Sequence, residues 1–381
     1  MRAGELPAAR VAGATPWRQW LDHRRCRKDR DAQRHTLRVI AWPAFVNRRQ
    51  NPYNALLYDA LAALGVRVDD FTPLRLIFGR YQIWHVHWPE SILNLPRLWQ
   101  TIPLTLLLRF LLVVARARGI KIVWTAHNLR SHEGLYPRVE ARLWRTLLGR
   151  VDAVIALTGA GRDLTLQHFP CLRARPAFVI PHGSYRTAYP MGQTRDTARR
   201  QLGLPEGAHV LVSLGQLRPY KNLPHLIRTF RQLPARNVFL VIAGAPSDPA
   251  LIDALRAAAG SDPRVQLHLR FIPAALLQRY LCAADLVVLP YREILNSGSA
   301  ILALSFERPV LVPALGALPE LQDQMGTAWV RTYAGELQTE TLTAALAWAL
   351  DTPREATHLF GALSWERIAR QTLRAYRALE R

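Results

Sequence analysis

Short runs of strand length, most of them predominantly apolar, alternate with helix-length segments along most of the chain. In the first half the runs cover residues 37–42, 66–71, 83–87, 120–125, 153–157 and 177–180. In the second half they cover residues 209–214, 238–243, 264–268, 286–289, 310–313 and 328–330. Uninterrupted apolar runs are typical of strands buried on both faces of a parallel sheet. The alternation therefore predicts an α/β protein with two Rossmann-like domains, whose ligands gather at the carboxyl ends of the strands.

The domain boundaries follow from length and local composition. A chain of 381 residues with 50% hydrophobic content is long enough for two domains. The chain turns polar after residue 185 and carries Pro190 and Gly192, which marks a linker. We predict a basic, disordered extension at residues 1–35, domains at 36–185 and 186–363, and a terminal helix at 364–381 with one apolar face.

The charge of the chain is strongly unbalanced. With 50 Lys and Arg against 28 Asp and Glu, the net charge is +22, which favours an anionic partner such as nucleic acid, an acidic membrane surface or a phosphorylated substrate. The sequence has neither a recognised nucleic-acid module nor aromatic platforms, so we expect no nucleic-acid partner. Three isolated cysteines without metal-ligand or disulfide spacing, and no long apolar leader, fit a protein of the reducing cytosol.

The segment at residues 98–119, LWQTIPLTLLLRFLLVVARARG, is nearly apolar enough to cross a membrane. Arg109 interrupts it at the middle, and the charge-free stretch on either side is too short for a span. Two alternatives stay open. The segment is either a buried core helix or a helix lying on the bilayer surface, with Arg116, Arg118 and Lys121 near the head groups.

Histidine and glutamate side chains follow two predicted strands of the first half. The sequence His85-Val86-His87-Trp88-Pro89-Glu90 ends one strand, and a loop from residue 127 to residue 133 follows the next. An enzyme that activates a hydroxyl needs a carboxylate or imidazole within hydrogen-bond reach of its proton. The available groups are Glu90, His127, His132 and Glu133. A metal site is one alternative, although the helical HExxH spacing typical of such sites is not present. A second alternative is that these histidines only form hydrogen bonds to neighbouring backbone, as histidines at strand ends often do.

Two turns of the second half have the character of anion sites. The sequence from Gly215 to Asn222 places Arg218 and Lys221 just before a helix, and glycine allows close approach of a ligand to the backbone. Residues 296–299, Asn-Ser-Gly-Ser, begin an apolar helix, whose free N–H groups and dipole favour a phosphate. The alternative interpretation is solvated surface charge and an ordinary capped helix start.

These motifs together resemble those of a known class of enzymes. The GxLRPYKN turn, the PHG junction and the LPY, NSG and RPVLVP blocks resemble glycosyltransferases of the GT-B fold. More specifically, five blocks resemble the xanthan-type GDP-mannose:glycolipid 4-beta-mannosyltransferases, and the similarity runs from about residue 51 to the end. The five blocks are NPYNALLYDAL, HVHWPE, TAHNLRSHE, GQLRPYKN and VVLPYREILNSGSAILALS.

The resemblance implies a GT-B fold with two Rossmann-like domains facing across a cleft and a C-terminal helix that crosses back to the first domain. It also implies an inverting transfer of mannose from GDP-mannose to a polyprenyl-diphosphate-linked oligosaccharide, without metal or other cofactor. The expected location is the anionic inner face of the cell membrane. One departure concerns residues 300–303, Ala-Ile-Leu-Ala, where the large retaining group of GT-B enzymes carries a glutamate. A donor such as UDP-glucose stays open as the alternative.

The resemblance divides the candidate residues between the two sides of the cleft. On the donor side we expect Gly215, Arg218, Lys221, His182, Tyr291, Asn296, Ser297, Gly298 and Ser299. On the acceptor side we expect Asn51, Tyr53, His87, Trp88 and Asn128. The candidate proton acceptors are Glu133 and Glu90 by preference, then His127 and His132.

Overall fold

The computed structural model describes residues 36–95, 97–131, 134–355, 360–361 and 363–380. The predicted extension at residues 1–35 lies outside these ranges, as do His132 and Glu133.

The first sheet is parallel, with strand order β2-β1-β3-β4-β5-β6. Its strands are β1 (Arg38–Trp42), β2 (Arg67–Asp70), β3 (Ile83–Val86), β4 (Lys121–Ala126), β5 (Ala153–Ala156) and β6 (Ala177–Val179). The helices between them are α1 (Tyr53–Ala63), α2 (Pro73–Phe78), α3 (Leu98–Ala117), α4 (Pro137–Leu148) and α5 (Gly159–His168).

The second sheet is also parallel, with strand order β12-β11-β10-β7-β8-β9. Its strands are β7 (His209–Leu214), β8 (Val238–Ala243), β9 (Val265–His268), β10 (Leu286–Val288), β11 (Val310–Pro313) and β12 (Val330–Tyr333). The accompanying helices are α6 (Arg195–Gln201), α7 (Leu223–Arg231), α8 (Pro249–Ala259), α9 (Ala274–Ala283), α10 (Gly298–Ser305), α11 (Leu318–Met325) and α12 (Thr339–Asp351).

The strand order reverses once in each sheet, and these reversals position the site. In the first sheet the chain changes direction between β1 and β3, where Val39 lies opposite Ile83. In the second it changes between β7 and β10, where Leu211 lies opposite Leu286. Ligands of open α/β sheets bind outside the carboxyl ends of the strands at such a reversal. The loops after β1 and β3 in the first sheet and after β7 and β10 in the second are therefore expected at the cleft, and β4 is the next strand beside β3.

Central strands are buried along most of their length because helices cover both faces of each sheet. Every residue of β3, β5 and β11 is buried. The edge strand β12 differs, since Arg331 and Thr332 are only half-buried. These polar residues carry no apolar signal. The sequence therefore placed this strand at residues 328–330, whereas it pairs with β11 over Val330–Tyr333.

The terminal helix α13 (Trp365–Arg377) packs on the first domain. Ile368 and Tyr376 are fully buried in a cluster that includes Val39 and Leu61 of that domain. At the start of the helix, the Trp365 indole N–H donates to the carbonyl oxygen of Ser184 at 2.7 Å. The helix thus returns from the second domain to the first, which confirms the predicted crossing.

Helix α3 is the crossover between the neighbouring parallel strands β3 and β4, so it lies along the sheet. One face is buried and includes Leu108, Leu111 and Leu112. The opposite face exposes large apolar side chains, with Trp99 at 65% and Phe110 at 55% exposure. The helix is long and apolar enough to cross a membrane, yet only 33% of its most apolar 18-residue segment is buried. Of the two alternatives that the sequence left open, a core helix buried on all sides therefore does not describe α3.

Candidate functional site

On the second domain, a lysine and a serine lie against the glycine that ends β7. Gly215 has a φ of +110°, a conformation that favours glycine. A Cβ at this position would lie 3.1 Å from Lys221 Nζ and 3.2 Å from Ser299 Oγ. The ammonium and the hydroxyl therefore lie side by side over exposed backbone. This is the arrangement that the sequence predicted for an anion.

The Lys221 ammonium is unusual because it is buried, at 5% exposure. Burial, together with the charge of the neighbouring Arg218 guanidinium, lowers the pKa of Lys221 to about 8. A bound anion would reverse both effects, since it would pair with the ammonium and offset the charge of Arg218. The site therefore favours a ligand with at least one negative charge.

The start of α10 completes the donor side. The Ser297 hydroxyl caps the helix by accepting a hydrogen bond from the Ala300 N–H at 3.0 Å. The hydroxyl of buried Tyr291 lies 2.8 Å from Ser297 Oγ, and the Tyr291 ring stacks on Tyr220 with centroids 6.0 Å apart. The positive end of the α10 dipole thus lies beside Ser299 and Lys221.

Two residues of this region reach the first domain. The Asn296 side-chain amide donates to the carbonyl oxygen of Ala126, at the end of β4, at 3.4 Å. The Gly298 backbone lies against the His182 imidazole, since a Cβ on Gly298 would be 3.6 Å from His182 Nε2. The His182 Nδ1–H donates to the Gly183 carbonyl oxygen at 2.7 Å, so Nε2 carries the lone pair. The predicted donor-side residues therefore lie together at the cleft.

On the first domain, a buried carboxylate follows β3. Glu90 is 4% exposed, and the Asn128 side-chain amide donates to its Oε1 at 2.9 Å. Burial raises the pKa of the Glu90 carboxyl to about 7, while the Asn128 hydrogen bond and the charge of Arg218 oppose that shift. A carboxyl with a pKa near 7 can accept a proton at neutral pH and hold it briefly.

Aromatic rings pack closely beside Glu90 around the buried Tyr53. The Tyr53 ring centroid lies 4.7 Å from that of His182 and 5.1 Å from that of His127. Trp88 stacks on His127 with centroids 4.3 Å apart. Burial lowers the pKa of His127 well below its ordinary value and that of His182 to about 4, so both imidazoles are neutral.

Two of the predicted acceptor-side residues are occupied by the protein itself. Asn51 Oδ1 accepts from the Tyr53 N–H at 3.1 Å and from the Tyr185 hydroxyl at 3.3 Å. His87 is 1% exposed, with Nε2 2.6 Å from the Tyr58 hydroxyl and Nδ1 3.0 Å from His127 Nε2. Neither ring nitrogen of His87 is left for a ligand. These two side chains shape the site from behind.

Two further predictions about the site are not settled by these contacts. His132 and Glu133 lie outside the described residues, so their assignment as proton acceptors stays a prediction. Within the described ranges, no group of three or more His, Cys, Asp or Glu side chains has the arrangement of a metal site. Independence from a metal likewise stays a prediction.

One contact that joins the two domains beside the cleft was not indicated by any sequence pattern. The Glu320 carboxylate of α11 accepts from the Gly159 N–H at 2.9 Å and from the Ala160 N–H at 2.6 Å. These N–H groups begin α5 of the first domain, so the carboxylate lies at the positive end of that helix.

Comparisons with known proteins agree with this geometry. The family described as glycosyl transferases group 1 matches residues 208–351, and Glycosyltransferase Family 4 matches residues 22–184. Sucrose-phosphate synthase from Thermosynechococcus elongatus superposes with a TM-score of 0.67 at 19% identity, covering 90% of this chain and 99% of the other. Anabaena HepE, solved with UDP and glucose, superposes with a TM-score of 0.64 at 16% identity, covering 90% and 100%. The protein is a glycosyltransferase of the GT-B fold.

A curated relative narrows the class. The GDP-mannose:glycolipid 4-beta-D-mannosyltransferase of Xanthomonas campestris pv. campestris is 31% identical over 332 residues, which cover 87% of this chain and 89% of the relative. The chain belongs to the family of these mannosyltransferases.

Proposed function

We propose that this protein transfers mannose from GDP-mannose to a polyprenyl-diphosphate-linked oligosaccharide, with inversion at the anomeric carbon and without a metal ion. The acceptor hydroxyl attacks in a single step while the nucleotide diphosphate leaves. The observation that carries this proposal is the pairing of groups across the cleft. One domain carries a buried ammonium and a helix start, and the other carries a buried carboxylate held by Asn128, two residues after the Ala126 carbonyl that Asn296 contacts.

The donor side has the groups that a departing diphosphate needs. Negative charge grows on the leaving oxygen as its bond to the sugar breaks, and preorganised cations and N–H groups stabilise that charge. In this proposal Lys221, Arg218 and the start of α10 supply them. The apolar residues 300–303 on α10 offer no carboxylate to a sugar, which fits single-step inversion.

Glu90 is the group that we assign as the proton acceptor. Its carboxylate accepts the proton of the attacking hydroxyl, and the Asn128 amide orients it by donating to Oε1. The raised pKa suits this role, because a base is most effective when its pKa lies near the working pH.

The assay that tests the transfer uses a panel of labelled nucleotide sugars with a bacterial membrane lipid extract. The proposal expects label in the lipid fraction from GDP-mannose and none above background from UDP-glucose. Glu90→Gln protein serves as the matched control and is expected to give little product. Transfer from UDP-glucose alone would keep the class of enzyme but contradict the proposed donor.

We also propose that the protein works at the anionic inner face of the cell membrane, where a lipid-linked acceptor would lie. The docking face is formed by exposed apolar residues of α2 and α3, namely Leu74, Phe78, Trp99, Ile102, Leu106, Phe110 and Val113. Exposed arginines, including Arg80, Arg109 and Arg116, flank it. An apolar face bordered by arginines matches the acyl and phosphate layers of an anionic leaflet.

A sedimentation assay with lipid vesicles tests the docking face. Wild-type protein is expected to pellet with vesicles that contain phosphatidylglycerol, and less so as salt rises, because salt screens the arginines. Phe110→Ser with Trp99→Ser should lower the bound fraction. Phe271→Ser, which changes a 56% exposed phenylalanine of the second domain, is the matched control. Equal binding of both variants would contradict the proposed face.

A further inference from the structure

A chain of buried polar side chains runs from the cleft into the core of the first domain. His127 Nε2 lies 3.0 Å from His87 Nδ1, and His87 Nε2 lies 2.6 Å from the Tyr58 hydroxyl. The Tyr58 hydroxyl lies 3.0 Å from His85 Nδ1. The same His85 nitrogen lies 2.6 Å from the Tyr376 hydroxyl of α13, and His85 Nε2 lies 2.7 Å from Thr125 Oγ1.

The imidazoles of this chain are neutral. Burial lowers the pKa of His85 to about 3 and holds the pKa values of His87 and His127 well below the ordinary value. Burial also raises the pKa values of Tyr58 and Tyr376, so both hydroxyls keep their protons. Each ring therefore has one N–H donor and one lone pair, and the direction of one hydrogen bond fixes the next.

The chain does not serve as an exit for protons. Its inner end lies at Thr125, which is 1% exposed, and at Tyr376, which is fully buried. A proton passed inward from the cleft would stop in the core, where burial disfavours an additional charge. The chain can instead fix which nitrogen of His127 carries the hydrogen.

Thr125 sets the direction of the whole chain. Among the described residues, the Thr125 hydroxyl has a single hydrogen-bond partner, His85 Nε2. If His85 donated to Thr125, the buried hydroxyl hydrogen of Thr125 would have no acceptor, which costs more than an ordinary hydrogen bond contributes. Thr125 therefore donates to His85 Nε2, and the hydrogen of His85 lies on Nδ1.

The remaining bonds follow from that first one. The His85 Nδ1–H donates to the Tyr376 oxygen at 2.6 Å, and the Tyr58 oxygen lies 3.0 Å from the same nitrogen, so the Tyr58 hydrogen points elsewhere. Tyr58 then donates to His87 Nε2, which places the His87 hydrogen on Nδ1. His87 donates in turn to His127 Nε2, so the hydrogen of His127 must lie on Nδ1.

We propose that this chain, through Tyr58 and Thr125, holds His127 as the tautomer protonated at Nδ1, so that His127 donates a hydrogen bond to an oxygen of the sugar in the cleft. His127 is then not the proton acceptor, a role left to Glu90. The sugar contact rests on the proposed glycosyl transfer, whereas the tautomer is a property of the free protein. Tyr58 and Thr125 are positioning residues, since they act through His127.

Nitrogen-15 NMR of the histidine rings tests the tautomer without substrate. In the wild type the His127 hydrogen is expected on Nδ1. Tyr58→Phe removes the donor to His87 Nε2, and Thr125→Val removes the donor that starts the chain, so each should give a mixture of the two His127 tautomers. Thr125→Ser, which keeps the hydroxyl, should restore the wild-type signal. Tyr81→Phe is the matched control, because the Tyr81 hydroxyl donates to Asp69 and does not belong to this chain of hydrogen bonds.

Steady-state kinetics with the donor that proves active test the effect on catalysis. Tyr58→Phe is expected to lower kcat about fivefold to tenfold, which corresponds to the loss of one neutral hydrogen bond. The acidic limb of the pH profile should not move, because Glu90 and not His127 accepts the proton. A His127 hydrogen on Nε2 in the wild type, or an unchanged tautomer in both Tyr58→Phe and Thr125→Val, would overturn the proposal. Failure of sugar transfer with the expected tautomer would instead count against the proposed function and the sugar contact.

Discussion

Lys221 combines two features that a structural lysine rarely has, burial and a nearby arginine. Burial of an ammonium costs free energy, and at Lys221 this cost lowers its pKa to about 8. The position is therefore suited to a polyanionic ligand, whose binding restores the charged form of the side chain. The described part of the chain contains one other lysine, Lys121, which is largely exposed at the start of β4.

The first prediction concerns the removal of the Lys221 charge. Lys221→Met should lower turnover by about 10²- to 10³-fold, the usual effect of removing one preorganised donor to a developing negative charge. The unfolding midpoint should stay near that of the wild type, because methionine fills a similar apolar volume. Lys121→Met is the matched control and should bind GDP as the wild type does in calorimetry. Near-normal turnover of Lys221→Met would remove its phosphate role.

The second prediction is a bell-shaped pH dependence of kcat/KM. Below pH about 7 Glu90 is protonated and cannot accept a proton, so activity should rise with pH through that value. Above pH about 8 Lys221 of the free enzyme loses its charge, so activity should fall again. The measurement is kcat/KM for the donor across this range.

Two variants separate the groups behind the acidic limb. Asn128→Ala removes a hydrogen bond that favours the Glu90 carboxylate, so its acidic limb should move to higher pH. Glu90→Gln should abolish that limb together with most of the activity. A limb near pH 7 that persists in Glu90→Gln would assign the proton to another group.

At the scale of elements, the contact between α11 and α5 is the one that the sequence patterns did not indicate. A carboxylate at a helix start satisfies N–H groups that have no partner within the helix. Here the carboxylate belongs to the other domain, so the Glu320 contact stabilises the helix and joins the domains at once.

The third prediction concerns this contact. Glu320→Ala should lower the free energy of unfolding by about 1–2 kcal/mol, as expected for a lost helix cap. Glu366→Ala is the matched control, because within the described ranges Glu366 forms an exposed ion pair with Arg370 on α13, whose loss should cost about 0.5 kcal/mol or less. Urea denaturation measures both. Equal losses would show that the Glu320 contact is no stronger than a surface ion pair.

At the scale of the whole molecule, the features that can be predicted from the sequence are those that local residue patterns encode. Apolar runs identify the central strands of both sheets, and glycine with lysine at a strand end identifies the turn from Gly215 to Lys221. The edge strand β12 is displaced because its polar residues follow no such pattern. The resemblance to the mannosyltransferases, and not the periodicity, predicts the crossing of α13.

Long-range contacts explain the rest of what sequence patterns cannot supply. His85 meets Tyr376 across 291 positions of the chain, and Gly159 meets Glu320 across 161. No local spacing encodes such pairs. The His-Val-His sequence predicts histidines at the site, but it does not indicate that His85 and His87 lie behind His127 and outside the cleft.

The central claim is a single displacement, in which Glu90 removes the acceptor proton while Lys221 and the start of α10 receive the departing diphosphate. The most direct measurement is the anomeric configuration of the first product formed from an α-linked sugar nucleotide, determined from the one-bond carbon–proton coupling at the new linkage. The account predicts a β-linked sugar, and an α-linked product would contradict it.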